Sequence, residues 1–259
     1  MTASPTPALT ALALSPHLDD AAFSCGGTLA RLSATGWRVV VATLFTRSVA
    51  SPTGFALACQ LDKGLPASVD YMALRRDEDA RSCAIVGADT LWLDFPEAPH
   101  RGYTSAAALF GPQLATDDID AALKDAVAGL LANTAPSLIL APQAIGGHVD
   151  HVVVVNALRQ LPRTVPLLWW RDFPYAARTA DPAEPFGDAM RALPECAVTI
   201  DIPHKRAACC AYSTQLDYQF GGPDGLATAL EAAGNIEWFR TAAGFDQDRA
   251  LATILEPVA

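Results

Sequence analysis

The stretch that decides the fold is LTALAL-SPHLDD-AAFSCGGTLARLSAT, residues 9–35. Its apolar first block predicts a buried strand, and its last block has the periodicity of a helix, in which a glycine pair indicates close packing on a sheet. The middle block places His17 and the neighbouring carboxylates Asp19 and Asp20 at the carboxyl end of that strand. Open α/β sheets hold their active sites at this edge.

Apolar runs and helix-like segments alternate along the rest of the chain. This alternation predicts an α/β fold with a mostly parallel, doubly wound sheet and helices on both faces. We expect a single domain over residues 1–259, with a long loop at 47–70 because Pro, Gly and Ser are frequent there. Further strands are expected at 37–44, 89–93, 137–141, 167–170 and 197–202, and further helices at 74–86, 117–131, 152–161 and from 206 onward.

Composition restricts the partner classes. Of the 259 residues, 51% are hydrophobic and 18% charged, which argues against disorder, and the formal net charge of −10 leaves no basic surface for nucleic acid. No apolar run is long enough to span a membrane and no basic leader precedes the first strand, so we expect a cytoplasmic protein. The six cysteines show no framework spacing and are expected to be reduced thiols. The apolar composition is compatible with a homo-oligomer.

A second motif, GHVDH at residues 147–151, follows the strand expected at 137–141 and opens the next helix. Together with the first motif it offers His17, Asp20 and His151, which are two imidazoles and one carboxylate. Catalytic zinc sites typically use three such ligands and keep one position for water. We therefore expect one Zn²⁺ per chain, although the same ligands accept other first-row divalent ions.

The remaining polar residues of the two motifs suit acid–base work. A metal lowers the pKa of a bound water to about 7, and Asp19 could accept its proton as general base, a role that contributes about 10²–10⁴-fold. His148, on the loop before the helix, could stabilise an oxyanion or protonate a leaving amine. Asp150 is expected to orient His148 and to raise its pKa.

Each motif alone also has an ordinary structural explanation. Aspartates at the start of a helix commonly cap it and interact favourably with its dipole. The joint occurrence of two such motifs, each after a strand and each opening a helix, favours metal binding over capping.

The block PHLDD (16–20) with GHVDH (147–151) resembles the paired signatures of the LmbE/PIG-L superfamily, zinc-dependent deacetylases of N-acetylglucosaminyl conjugates. Supporting features are GGT at 26–28, RRDE at 75–78 and LWLD at 91–94; one departure is Leu18, where the usual motif has proline. The resemblance implies a Rossmann-like fold in which residues 165–259 are the more variable, substrate-side part. It also implies zinc on His17, Asp20 and His151, with Asp19 as general base and His148 as the oxyanion-stabilising or acid residue, supported by Asp150.

Sugar recognition usually combines charged side chains, which bond to hydroxyls, with an aromatic face. Residues of these types lie beside strand ends or in long loops, although surface ion pairs and core aromatics look the same in a sequence. The candidates for substrate binding are Arg76, Asp94, Glu97, Arg101, Arg171 and Tyr175.

Three functions follow. The leading one is a metal-dependent amidase, acting on a non-peptide carbon–nitrogen bond, that removes acetyl from an N-acetylglucosaminyl-type small-molecule conjugate by attack of zinc-bound water. The second is a metal hydrolase of another amide or ester class; phosphate-ester sites commonly hold two metals about 3.5–4 Å apart. The third is a non-catalytic carbohydrate-binding protein on the same scaffold.

Overall fold

The computed structural model describes residues 9–162 and 165–241. Across these residues one mixed sheet is formed, with strands lying in the order β3-β2-β1-β4-β5-β7-β6. The strands are β1 (Thr10–Ser15), β2 (Arg38–Thr43), β3 (Ala88–Trp92), β4 (Leu138–Pro142), β5 (Leu167–Trp170), β6 (Glu195–Thr199) and β7 (Ile236–Thr241).

The helices connect and cover these strands. They are α1 (Asp20–Ala34), α2 (Gly54–Leu61), α3 (Tyr71–Val86), α4 (Ala106–Leu109), α5 (Ile119–Thr134), α6 (Val149–Gln160), α7 (Tyr175–Arg178), α8 (Gly187–Arg191), α9 (Ile202–Cys210), α10 (Ser213–Phe220) and α11 (Pro223–Ala233). Within the described ranges, no helix is both long and apolar enough to cross a membrane.

Strand alternation explains why both faces of the sheet are covered. Successive side chains of a strand point to opposite faces, so a strand buried on both sides is apolar throughout. In β1, Leu12 and Leu14 pack in the cluster that includes α5 and α6, whereas Ala11 and Ala13 pack in the cluster that includes α1 and α3. The expected α/β class, with helices on both faces, is confirmed.

The order of the strands fixes where a site can form. Strand β1 pairs in parallel with β2 on one side and with β4 on the other. The chain therefore turns outward in opposite directions from β1 and β4, which makes their carboxyl ends the topological switch point of the sheet. Among the strands of the described residues, only β7 breaks the parallel pattern, since it is antiparallel to β5 and β6.

Several boundaries differ from the sequence expectation for physical reasons. The segment 47–70 is not one long loop, because residues 54–61 form α2. Helix α3 begins three residues early, at Tyr71, since the carboxylate of Asp70 accepts a hydrogen bond from the Ala73 amide. It ends as expected at Gly87, which adopts the left-handed conformation (φ 72°). The ends of the expected domain, 1–259, lie outside the described residues, so that boundary stays a prediction.

The glycine pair of α1 does mark a close approach. A Cβ on Gly27 would lie 2.6 Å from the side chain of Ile200, just after β6. The helix is distorted at Cys25, and the carboxylate of Glu237 on β7 accepts hydrogen bonds from the Gly27 amide (3.0 Å) and from the following amide. Lys205 of α9 pairs with the same carboxylate at 2.8 Å. The C-terminal elements thus hold α1 against the sheet.

Candidate metal centre and active site

The turn after β1 orients the first motif without using its aspartates as ordinary caps. The hydroxyl of Ser15 donates to the carbonyl of His17 (2.6 Å) and accepts from the Ala21 amide (3.1 Å). Ser15 thus provides an acceptor for one of the main-chain N–H groups that have no partner within the first turn of α1. Asp19 makes no capping bond, and Asp20 Oδ2 accepts from the His17 amide at 2.8 Å. Both carboxylates are therefore available to the site.

The turn after β4 orients the second motif. Gly146 and Gly147 have φ values of 96° and 76°, a backbone conformation that residues with a side chain rarely adopt. A Cβ on Gly146 would also lie 2.9 Å from the ring of Tyr175. After this tight turn His148 caps α6, because its Nδ1 accepts from the Asp150 amide at 3.2 Å. His151 then lies in the first turn of the helix and faces the sheet edge.

The structure brings His17, Asp20 and His151 together. Their ligand atoms all lie within 4.8 Å of one another. Asp20 Oδ2 is 3.2 Å from His17 Nδ1 and 3.2 Å from His151 Nε2. Two imidazoles and one carboxylate at this spacing match the donor set of a catalytic divalent-metal site.

Two observations test whether these residues fit a cation. The Nε2 atom of His151 is buried and makes no hydrogen bond within the described chain, although it faces Asp20, and a buried polar atom without a partner calls for one. Burial lowers the pKa of His151, but Asp20 and Asp172 outweigh it and raise that pKa to about 9. Burial also lowers the pKa of His17, but Asp150 and Asp20 have the larger effect and raise that pKa well above its usual value. Positive charge is favoured at this point, so the donor set fits a metal ion.

Each histidine of the cluster is oriented by a buried carboxylate on its other nitrogen. His151 Nδ1 lies 2.9 Å from Asp172 Oδ1, and His17 Nε2 lies 3.0 Å from Asp150 Oδ2. A carboxylate at one ring nitrogen fixes the hydrogen there, which leaves the lone pair of the other nitrogen for a metal. In both rings this second nitrogen faces Asp20.

Asp150 therefore contacts different groups from those expected. No hydrogen bond joins its carboxylate to His148 among the described residues; the carboxylate contacts His17, the Ala98 amide (3.1 Å) and the guanidinium of Arg101 (2.8 Å). The contact with His148 runs through the main-chain amide instead. Asp150 raises the pKa of His148 as expected, but burial has the larger effect and lowers that pKa to about 3.

A second triad, His17, His148 and Asp150, also has ligand atoms within 4.8 Å of one another. It is the poorer metal site, because Arg101 already compensates the charge of Asp150 and His148 Nδ1 accepts a main-chain hydrogen bond. The geometry thus favours one ion on the Asp20 triad over a pair of ions.

Asp19 lies beside the triad as a buried carboxylate, 3% exposed. Its Oδ2 is 3.5 Å from the Arg75 guanidinium and accepts a hydrogen bond from the side-chain Nε2 of Gln219 at 3.3 Å. Burial raises the pKa of Asp19, Arg75 lowers it and Asp20 raises it, with a result of about 6. Such a group is ionised at neutral pH and still basic enough to accept a proton.

A cavity of about 210 Å³ opens onto these residues. Its inner end is lined by His17, Asp19, Asp20 and His148. Its outer walls come from α2 and the loop before it, from α4, and from α10. Acid–base groups at the end of a largely preformed cleft are the usual arrangement of an active site.

The expected substrate-binding residues are divided between the cavity and other places. Glu97 and Tyr175 line the cavity. Arg76 donates to the Thr46 carbonyl (2.6 Å), and Asp94 pairs with Arg47 on the surface. Arg101 is buried against Asp117 and Asp150, and Arg171 is exposed, away from the cavity lining.

Sequence reasoning missed residues that the fold brings to the site. Asp172 follows β5 just as Asp19 follows β1, so its place at a strand end was a usable signal. His100 was interpreted as an ordinary loop residue but lines the cavity. No local signal marks Gln219, which reaches Asp19 from a helix 200 residues away.

Comparisons with known proteins agree with this geometry. Residues 12–161 match the family PIG-L, described as GlcNAc-PI de-N-acetylase. The chain is 33% identical over 213 residues to the 2'-N-acetylparomamine deacetylase of Streptomyces fradiae, covering 80% of this chain and 73% of that protein. It is 31% identical over 229 residues to the protein of the same name from Niallia circulans, covering 80% and 81%.

A solved structure extends the likeness to the whole fold. The A40926 pseudoaglycone deacetylase Dbv21 superimposes with a TM-score of 0.73 at 29% identity, over 91% of this chain and 98% of that one. Because 91% of this chain is covered, the match extends well beyond residues 12–161. With the family profile over more than half of its length and relatives above 30% identity, this chain belongs to the PIG-L (LmbE-like) deacetylase family.

Proposed function

We propose that this chain is a metal-dependent deacetylase that hydrolyses the acetamide of an N-acetylated amino-sugar conjugate. The observation that carries the proposal is the convergence of His17, Asp20 and His151, with the spare carboxylate of Asp19 beside them in one cavity. The relatives, which are named as deacetylases of an acetylated aminoglycoside and of an antibiotic pseudoaglycone, support this substrate class.

We propose zinc as the ion, held by His17, Asp20 and His151, because two imidazoles and one carboxylate form a common catalytic zinc set. A divalent ion held there supplies Lewis-acid chemistry, since it polarises the amide carbonyl and lowers the pKa of water. Asp150 and Asp172 hold the two imidazoles in the orientation that this requires.

Asp19 acts as the general base. Its carboxylate takes a proton from the attacking water while the water oxygen bonds to the acetyl carbon. Arg75 and Gln219 hold the carboxylate in place, and burial keeps its pKa near 6. As the carbon–nitrogen bond breaks, the proton held by Asp19 passes to the amine nitrogen, which leaves acetate and a free amino sugar.

His148 donates to the carbonyl oxygen as negative charge develops there. Its Nδ1 accepts the Asp150 amide, so in the neutral ring the hydrogen is on Nε2. A donor fixed in advance at a developing oxyanion is among the larger catalytic contributions, about 10²–10³-fold per donor. Its low pKa means that the neutral ring performs this role.

The test is acetate release from 2'-N-acetylparomamine and from the methyl glycoside of N-acetylglucosamine. We expect release by protein reloaded with one equivalent of zinc, loss after chelation, and recovery on adding metal back. As a matched control, Asp94→Asn changes an exposed carboxylate away from the cavity and should leave turnover unchanged. A folded, metal-loaded protein that releases acetate from neither compound would contradict the proposal.

A further inference from the structure

Four aromatic rings beside the metal triad contact one another in a closed cluster. The ring of Phe110 lies at a steep angle to that of His148, with centroids 5.3 Å apart, and to that of Tyr175 at 5.9 Å. His151 completes the cluster, since its centroid is 5.6 Å from that of His148 and 5.7 Å from that of Tyr175. Rings at these separations are in contact, which leaves no gap for an alkyl chain between neighbouring members.

Phe110 is the exposed member of this aromatic cluster. It directly follows α4, lines the cavity and is 43% exposed. Ala108 and Leu109 of α4 pack in a small apolar cluster with Val149, the residue after His148. The helix that carries Phe110 is therefore packed against the start of α6, and this fixes the ring relative to the proposed oxyanion donor.

The segment 101–117, which carries Phe110, is closed at its base by a buried ion pair. Nitrogens Nε and Nη2 of Arg101 donate to the two carboxylate oxygens of Asp117, each at 3.0 Å. A third nitrogen of the same guanidinium pairs with Asp150 at 2.8 Å. All three side chains are buried, so this segment holds Phe110 in place instead of presenting it on a loose flap.

Tyr175 is held against the turn that carries the second motif. A Cβ on Gly146 would lie 2.9 Å from the Tyr175 ring, so the missing side chain is what lets the ring approach this turn. The guanidinium of Arg178 stacks on the ring at 5.2 Å. Phe110 and Tyr175 together thus form a fixed apolar wall opposite the two histidines.

The planar acetamide has three groups around its acyl carbon, and the site gives a place to two of them. In the proposed mechanism the carbonyl oxygen points to His148. The nitrogen carries the sugar, which the outer cavity between α2, α4 and α10 can hold. The methyl group is left to the side that Phe110 and Tyr175 close. Apolar rings suit a methyl group, and their mutual contacts leave no channel for a longer chain.

We propose that Phe110 is a specificity-determining residue, which together with Tyr175 bounds a pocket for the acyl methyl group and excludes acyl groups longer than acetyl. The inference rests on the proposed function for the reaction itself. It goes beyond that function, because an amidase with the same metal ligands and base would also remove longer acyl groups if this side of the site were open.

The test compares the methyl glycosides of N-formyl-, N-acetyl-, N-propionyl- and N-butanoylglucosamine, with release of the free amine as the readout. For the zinc-loaded chain we expect kcat/KM for the propionyl compound to be about 10- to 200-fold below that for the acetyl compound, which is the usual effect of one methylene in an apolar pocket. The butanoyl compound should react more slowly still. The formyl compound should be accepted, because it is smaller than acetyl.

Variants show whether Phe110 sets this limit. Phe110→Ala should bring the propionyl value to within about threefold of the acetyl value, whereas Phe110→Tyr keeps the ring and should keep the parent ratio. Phe55→Ala is the matched control, since it removes a ring from the α2 side of the same cavity and should leave that ratio unchanged. Equal hydrolysis of the acetyl and propionyl compounds by the parent chain, or the parent ratio in Phe110→Ala, would overturn the inference.

Binding of the acetyl and propionyl compounds to zinc-loaded Asp19→Asn, measured by calorimetry, separates this inference from the proposed function. Amine release from all four glycosides at similar rates refutes the acyl limit and leaves the hydrolase function standing. Weaker binding of the propionyl compound, with no turnover of any of the four by the parent chain, refutes the function and supports the pocket. Equal binding without turnover, or no binding at all, refutes both.

Discussion

Asp172→Asn should weaken metal binding without unfolding the protein. Asp172 is buried, with Oδ1 2.9 Å from His151 Nδ1 and Oδ2 accepting from the amides of Gln143 (3.1 Å) and Ile145 (3.0 Å). In the variant the single oxygen stays on the two main-chain donors, so the amide NH₂ faces His151 Nδ1. That nitrogen must then accept, which moves the ring hydrogen to Nε2, the atom that faces Asp20.

The magnitude follows from the hydrogen bond that is lost. A hydrogen bond to a charged group contributes about 1.5–3 kcal/mol, and each 1.4 kcal/mol is a factor of ten in affinity. Removing groups that orient a metal ligand typically costs about 10–100-fold in affinity. We therefore expect the Kd for zinc to rise by about 10- to 100-fold, because a proton must leave Nε2 before His151 can bind the ion.

The assay is an equilibrium competition for zinc between the protein and a chromogenic chelator, at fixed pH, with circular dichroism to check the fold. Asp79→Asn is the matched control, since Asp79 is equally buried and bonds to Trp92 and Tyr212 at 2.7 Å, away from the metal ligands. It should lose stability while keeping its zinc affinity. A Kd for Asp172→Asn within about threefold of the parent value, or an equal loss in Asp79→Asn, would refute the tautomer argument.

Three further predictions concern catalysis and packing. Asp19→Asn should lower kcat by about 10²–10⁴-fold while the zinc content per chain, measured by mass spectrometry, stays at that of the parent; a loss below tenfold excludes it as the base. Gly27→Ala should destabilise the fold by about 1–3 kcal/mol in urea titration, because its Cβ would lie 2.6 Å from a packed side chain, whereas Gly129→Ala, in open space on α5, should not. Glu237→Gln should cost about 3–5 kcal/mol, since it leaves Lys205 buried without its partner; a cost below 1 kcal/mol would show that water reaches the pair.

Much of the site could be predicted from the sequence because the pattern of apolar and polar residues shows where the strands end. The apolar run before His17 and the one before His148 each end in a polar motif, and parallel strands put their carboxyl ends on one edge. The structure adds the reason why these two motifs meet, since β1 and β4 are direct neighbours at the switch point of the sheet.

The contacts of Asp150 could not be predicted in the same way. Residues two apart at the start of a helix point in different directions, so spacing alone did not place its carboxylate against His148. The carboxylate lies against Arg101 and His17, and this arrangement depends on how the loop after β3 packs on α6. The residues that line the outer cavity could not be predicted for a similar reason, because Lys63 and Gln219 belong to distant segments that the tertiary fold brings together.

The adjacency of β1 and β4 also bears on how the protein acquires its ion. His17 and Asp150 are 133 residues apart, and the entropy of closing that long loop is offset by pairing of apolar strands rather than by coordination bonds. The chain should therefore reach its folded shape as apoprotein and take up metal afterwards, from whatever cellular supply it encounters. Exchange of one ion for another then requires no unfolding, so the metal found after purification reflects availability as much as intrinsic preference.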